Sequence, residues 1–390
     1  VTYPSRGDIT PFFAMEVMKE ANKREAEGKP VFHMEVGQPA TSAPSLVKEA
    51  AARALKDHPI GYTEALGIPP LREAIAQHYS DIYGVDVSSS RVVITTGSSG
   101  GFLLSFLSLF GKGDRVVLAE PGYPAYRNIL KSLDVEAVGL PCGPETNFQP
   151  SPALMDTLDG PLNGLLVASP ANPTGTMLKP EELEALVGYC RDRKMHFISD
   201  EIYHGLTYGT QMVSALSYSD DVVVINSFSK YFSMTGWRLG WMIVSEELAV
   251  RMEKLAQSLF ISAPALSQYA AVEAFKCRDE LESYKKNYER NRAILLQELP
   301  KIGLDKLAAA DGAFYIYADV RHLTDDSMTF CKNMLAECGV AATPGLDFDP
   351  VRGHHYIRLS FAGATSVIEG AVDALRRWLP SQDPDIKKSS

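Results

Sequence analysis

Six short, apolar, β-rich runs separated by helical stretches restrict what this chain can fold into more than any other feature. They are Arg91–Thr95, Arg115–Leu118, Gly164–Ala168, His196–Ser199, Val222–Asn226 and Gly240–Val244. Strands that are apolar almost throughout must be covered on both faces, which predicts a mainly parallel sheet between helices. Ligands of such sheets bind beyond the carboxyl ends of the strands, so the polar segments following these runs are where chemistry is expected. After about Ser262 the pattern changes. A charged helical stretch (Arg278 to Leu299), two strand-like runs (Ala313–Asp319 and Tyr356–Phe361) and a helix from Ser366 to Trp378 predict a second, smaller α+β unit. An amphipathic helix over about Pro11–Glu27, with Phe12, Met15, Met18 and Ala21 near one side, is expected to return to that unit. The division is a large domain over 40–275 and a discontinuous small domain of 1–39, with an N-terminal arm, and 276–390. A chain of 390 residues suits two cores.

The formal net charge is -10 and no basic stripe is present, which disfavours nucleic acid and anionic membranes as partners. The longest apolar run, Phe102–Phe110, is too short to cross a bilayer. The five cysteines (Cys142, Cys190, Cys277, Cys331 and Cys338) are dispersed and show no CxxC spacing, so neither a disulfide framework nor a zinc site is indicated, and a reducing cytoplasm fits. Val1–Arg6 has neither the charged nor the apolar region of a secretory signal, while Val1 in place of an initiator Met leaves room for a removed leader. Adjacent His354 and His355 cannot easily face one metal ion and are expected in an exposed loop. A short polar tail follows Pro380.

The run ending in Asn226-Ser227-Phe228-Ser229-Lys230 puts a lysine at the edge of a packed core, where lysines are rare without a partner. A lone lysine after a strand is usually a surface residue. A Schiff-base lysine needs a partly neutral amine tuned by its surroundings, which such an edge supplies. The hydroxyls of Ser227 and Ser229, with Arg238 downstream in Gly236-Trp237-Arg238-Leu239-Gly240, are suited to hold a phosphate. Ile94-Thr95-Thr96-Gly97-Ser98-Ser99-Gly100 ends a strand and opens a helix, the setting of a backbone anion site. Glu120-Pro121-Gly122-Tyr123-Pro124-Ala125-Tyr126 and Ser169-Pro170-Ala171-Asn172-Pro173-Thr174-Gly175 read locally as proline-stiffened turns, Tyr126 as a packed aromatic, and Pro121 and Pro173 as candidates for cis peptides. Asp200, in Ser199-Asp200-Glu201-Ile202-Tyr203-His204, reads alone as a helix cap, and His204 as structural. Arg358 sits in an alternating strand, Tyr356-Ile357-Arg358-Leu359-Ser360-Phe361.

Taken in order from about Pro11 to Phe361, these blocks resemble the class I/II aminotransferases of fold type I, the aspartate aminotransferase superfamily. The resemblance implies a seven-stranded-type, mainly parallel sheet and pyridoxal 5′-phosphate (PLP) as cofactor on Lys230. It implies that Ser98 and Ser99 cradle the phosphate with Ser227, Ser229 and Arg238, and that Tyr123 stacks on the pyridine ring. It further implies that Asn172 and Tyr203 reach the phenolic oxygen and that Asp200 pairs with the ring nitrogen. Arg358 is the implied clamp for the substrate carboxylate, and Gly37, in Val36-Gly37-Gln38-Pro39, the point where substrate approaches the backbone. Tyr62, in Gly61-Tyr62-Thr63-Glu64, is implied to reach the phosphate of a neighbouring subunit, making the working unit a homodimer with shared sites. Some aspartate-selective relatives carry Lys at the position of Ser99, a departure that weakens an aspartate preference. The implied activity is amino-group transfer between an L-amino acid and a 2-oxo acid with ping-pong kinetics and Lys230 as proton carrier. A PLP-dependent β-elimination (cysteine-S-conjugate) lyase is the rival enzyme, distinguished by releasing pyruvate and ammonia without an acceptor. A non-catalytic PLP-sensing domain is opposed by the lack of room for a DNA-binding domain.

Overall fold

The computed structural model describes residues 5–382; most of the Val1–Arg6 opening and of the tail after Pro380 lies outside them. The elements run α1 (Phe13–Ala26), β1 (Phe32–His33), α2 (Ser45–Asp57), α3 (Pro69–Tyr83), β2 (Val92–Thr95), α4 (Gly97–Leu109), β3 (Arg115–Glu120), α5 (Pro124–Ser132), β4 (Glu136–Pro141), α6 (Pro152–Met155), β5 (Gly164–Ala168), α7 (Pro180–Asp192), β6 (His196–Asp200), β7 (Val223–Ser227) and β8 (Gly240–Ile243). They continue with α8 (Glu246–Leu259), α9 (Ala265–Ala271), α10 (Arg278–Glu298), β9 (Tyr315–Asp319), α11 (Ser327–Cys338), β10 (Val340–Ala341), β11 (Thr343–Pro344), β12 (Tyr356–Ser360) and α12 (Thr365–Trp378).

Seven strands form the main sheet in the order β2-β8-β7-β6-β5-β3-β4. All but β8 share one direction; β8 is antiparallel to both its neighbours, β2 and β7. The six anticipated runs all appear. The seventh strand, β4, escaped the sequence reading for a physical reason: it is an edge strand with Glu136 and Pro141 exposed, so it lacks the continuous apolar signature of a buried strand. One apolar layer packs on each sheet face. Val224 and Phe228 belong to one, and Val223 and Ile225 of the same strand to the other.

Glycines let α4 sit unusually close to the sheet. A Cβ on Gly240 would come within 3.0 Å of Ser98 N, and one on Gly101 within 3.2 Å of Met242 and Ile225 side-chain atoms. The helix is apolar on nearly every side and is largely buried, as its Phe102, Leu104 and Phe106 require.

A second core gathers α10, α12 and the antiparallel sheet β11-β12-β9. β1 pairs in parallel with β10, so the amino-terminal segment does return to this unit. The anticipated Ala313–Asp319 strand begins only at Tyr315, because Ala313 has a positive φ of 56°. His354 and His355 are half-buried in a short 3₁₀ turn rather than in an exposed loop, their rings 3.9 Å apart. No helix among the described residues is long and apolar enough to cross a membrane.

Candidate active site

The strand directions decide where the site lies. β2, β3, β5, β6 and β7 all end at one edge of the sheet, and the reversed β8 begins there, which brings the segment carrying Arg238 to the same edge. One cavity at that edge is lined by Ser98, Ser99, Tyr123, Asn172, Asp200, Tyr203, Ser229, Lys230, Arg238 and, from the second core, Arg358; Gly37 completes its rim. Two expected members are elsewhere. Ser227 lies beneath the cavity, its hydroxyl donating to the Leu239 carbonyl (3.1 Å) and accepting from Ser229 N (3.0 Å), so it braces the turn. Tyr62 is 84% exposed and lies outside the cavity.

Lys230 Nζ donates to the Gly37 carbonyl (2.8 Å). Burial pulls its amine down to about 8, with the Arg358 and Arg238 charges acting in the same direction and Asp200 opposing them. Gly37 has a different structural reason from the one anticipated: a Cβ there would collide with the Tyr315 hydroxyl. Asp200 is 3% exposed and accepts hydrogen bonds from Tyr126 Oη and from Ile202 N (3.1 Å). Burial pushes this carboxyl up to about 6, and those two hydrogen bonds and Lys230 hold it from rising further.

Tyr126 is therefore corrected from a packing residue to a partner of Asp200. Its position on the first turn of α5, three residues after Tyr123, was a usable signal, because such spacing puts two side chains on one helix face. Tyr315 was missed altogether. Its hydroxyl lies 2.6 Å from that of Tyr203, and its ring lies under the Arg358 guanidinium, 4.5 Å from the ring centre. A tyrosine in a buried strand looks like core in sequence, and nothing local distinguishes this one.

Arg358 is 4% exposed. It donates to Asn172 Oδ1 (2.8 Å), Thr343 Oγ1 (3.1 Å) and the Glu35 carbonyl, and Phe348 covers it at 4.7 Å. Its Nε is buried without a partner. An unpaired donor on a buried guanidinium is costly in isolation and suits a planar anion. At the other end of the cavity Arg238 takes a left-handed backbone conformation (φ 52°) and donates to the Thr235 carbonyl (3.0 Å). Its guanidinium fills the space that a side chain on Gly97 would need, Nη2 lying 2.5 Å from the ideal Cβ position.

The prolines at 121, 170 and 173 all follow cis peptide bonds, one more than anticipated. His204 is structural as expected: its Nε2 donates to the Ser169 carbonyl (3.1 Å) and its Nδ1 faces Tyr83 Oη (2.8 Å). Burial lowers its ring to about 3, so it is neutral.

Known proteins resemble this chain over nearly its whole length. Residues 29–375 match the family model described as aminotransferase class I and II. A valine–pyruvate aminotransferase of Mycobacterium tuberculosis is 49% identical over 381 residues, spanning 97% of this chain and 98% of that protein. An aspartate aminotransferase of Thermotoga maritima is 34% identical over 382 residues, 94% of this chain and 96% of that one. Among solved structures, an aminotransferase from M. tuberculosis superposes with a TM-score of 0.96 at 48% identity, covering 98% of this chain and all of that one. Aspartate aminotransferase from Thermus thermophilus with maleate gives 0.92 at 29% identity, covering 97% and 99%. These relatives transfer amino groups, which supports that reading over β-elimination. The chain belongs to the class I and II aminotransferases, with the fold type I architecture, and is an aminotransferase.

Proposed function

We propose that this enzyme holds PLP in the cavity at the sheet edge, with Lys230 as its covalent anchor, and moves an amino group between an L-amino acid and a 2-oxo acid. The observation that carries the reading is the meeting of Lys230, Asp200, Arg238 and Arg358 in one enclosed space, supplied by separate parts of the chain. The donor set fits the cofactor. Ser98, Ser99, Ser229 and Thr235 surround the Arg238 end with hydroxyls suited to a phosphate, while a buried carboxylate, Asp200, lies where a pyridinium would be neutralised. Between them Tyr123 offers an aromatic wall, and Asn172 and Tyr203 offer polar groups for a phenolic oxygen. When bound, PLP supplies an electron sink for the charge that develops as a bond to the substrate Cα breaks.

The protein's part is positioning and proton handling. Arg358, steadied by Asn172 and Thr343, binds the substrate carboxylate through parallel hydrogen bonds. Tyr315 and Phe348 cover its faces and keep water from competing. Lys230, with an amine near 8, is neutral often enough near pH 7 to accept the Cα proton and is charged often enough to return it. We further propose a cytoplasmic homodimer in which Tyr62 reaches the partner's site. Support comes from the exposure of Tyr62 and of nearby Leu259 and Ile261, and from the five unpaired cysteines. The domain division proposed is residues 40–275 for the cofactor and 1–39 with 276–390 for the carboxylate clamp.

Replacing Lys230 with Ala tests the anchor. The expected result is loss of the visible absorption of lysine-bound cofactor and of 2-oxo acid formation. Retention of that absorption after gel filtration would refute the assignment.

A further inference from the structure

The outer wall of the cavity comes not from the sheet but from the segment that opens α1. Phe12, Ala14 and Met15 line it, together with Val36 and Phe348. Three cations face the space, Lys230, Arg238 and Arg358, and the proposed function occupies each of them. Among the described residues no fourth cation lines it to receive a second carboxylate.

The placement of this wall depends on one buried side chain. Phe12, at the N-cap of α1, has no side-chain oxygen to offer the helix. The cap comes instead from 334 residues further along: Asp347 accepts from Phe13 N with Oδ1 (3.1 Å) and from Ala14 N with Oδ2 (3.3 Å). A carboxylate satisfying two free N–H groups at a helix start is favoured by hydrogen bonding and by the helix dipole. The next residue, Phe348, covers Arg358. One short stretch thus ties the apolar wall to the carboxylate clamp. The segment ahead of the helix is fastened to α5, where Asn128 Nδ2 donates to the Thr10 carbonyl (3.0 Å) and Lys131 Nζ to that of Asp8 (2.5 Å).

We infer that Asp347 is a positioning residue that sets the substrate class. By pinning the start of α1 it holds Phe12, Ala14 and Met15 as the wall of a side-chain subsite that accepts amino acids with uncharged, apolar side chains and rejects dicarboxylic ones. The inference rests on the proposed function. Its physical basis is that an apolar side chain gains by leaving water against these residues, whereas a second carboxylate is stripped of water with no further cation of this chain to meet it.

The test uses holoenzyme and single-turnover formation of 2-oxo acid from valine, leucine, aspartate and glutamate. The intact enzyme is expected to favour the branched apolar pair at least a hundredfold in kcat/KM. Asp347→Ala should reduce that preference at least tenfold, mainly through KM, and should speed amide hydrogen exchange at Phe13 and Ala14. Asp347→Asn, which keeps one of the two acceptor oxygens, should fall between Asp347→Ala and the parent in both. Met15→Arg, at a half-exposed position that tolerates charge, should raise kcat/KM for glutamate or aspartate at least tenfold. Preference of the intact enzyme for a dicarboxylic substrate overturns the substrate class. Faster exchange at α1 with an unchanged preference overturns the role of Asp347, and no gain from Met15→Arg overturns that of the wall. Failure of the function itself would look different: no amino acid of any class would yield a 2-oxo acid.

Discussion

Burial opposes the attraction between Lys230 and Asp200 and wins at both, helped at Lys230 by the Arg358 and Arg238 charges. Their mutual attraction favours the ionised forms, yet the amine falls to about 8 and the carboxyl rises to about 6. For Asp200 this has a measurable sign. Its folded value is above the ordinary value of 3.8, so its contribution to stability is full below that pH and is lost as pH rises toward about 6. The loss is on the order of 3 kcal/mol at most. In cofactor-free protein, Asp200→Asn should therefore match the parent near pH 4 and exceed it in stability above pH 7, measured by denaturant unfolding at both pH values. An unchanged difference across that range would show that Asp200 does not hold its proton. Spacing could place its partner Tyr126 beside Tyr123 on one helix face, but not the contact of Tyr126 with Asp200. Asp200 and Tyr126 are separated by 74 residues, and only the packing of α5 against the sheet brings them together.

At the scale of elements, the position of α4 against the sheet sets the phosphate end of the cavity. Gly97 is needed twice, for its φ of 73° and because Arg238 occupies the space of its Cβ. Gly97→Ala should lower PLP affinity about tenfold or more, since left-handed backbone costs a non-glycine residue roughly 1–2 kcal/mol and the guanidinium must also move. Affinity for pyridoxal, which lacks the phosphate, should fall much less; equal losses by equilibrium dialysis would place the damage elsewhere. The strands that position these motifs were legible because burial on both faces leaves a continuous apolar record. β4 was not, since its exposed ends and only two fully buried residues break that record. The motifs themselves were legible because each follows its strand directly. Tyr315 and Asp347 were not, because each acts on a partner more than a hundred residues distant, Tyr203 for one and the start of α1 for the other.

For the whole molecule, the site is complete within one chain except for the proposed reach of Tyr62. Mixing inactive Lys230→Ala subunits with Tyr62→Ala subunits should restore activity to about a quarter of the parent level, because half of randomly reassorted dimers would then hold one intact site. Activity that stays at the level of the Tyr62→Ala parent would exclude a shared site.

The pairing of β1 with β10 has a consequence for how the chain is made. Glu35 and its hydrogen-bond partner Thr343 are 308 residues apart, and Phe32 waits for Val340. The main sheet has all its strands once Ile243 has emerged from the ribosome, whereas β1 has no strand partner until Val340 and Ala341 have followed. At ordinary elongation rates the roughly 100 residues from Ile243 to Val340 take about 5–20 s. During that time the apolar side of α1, including Ala21, which later packs on Leu335 and Ala341, lacks those partners while every strand of the main sheet has been made. The segment of α1 and β1 thus finds these partners late, and its apolar side is open to aggregation until they are made.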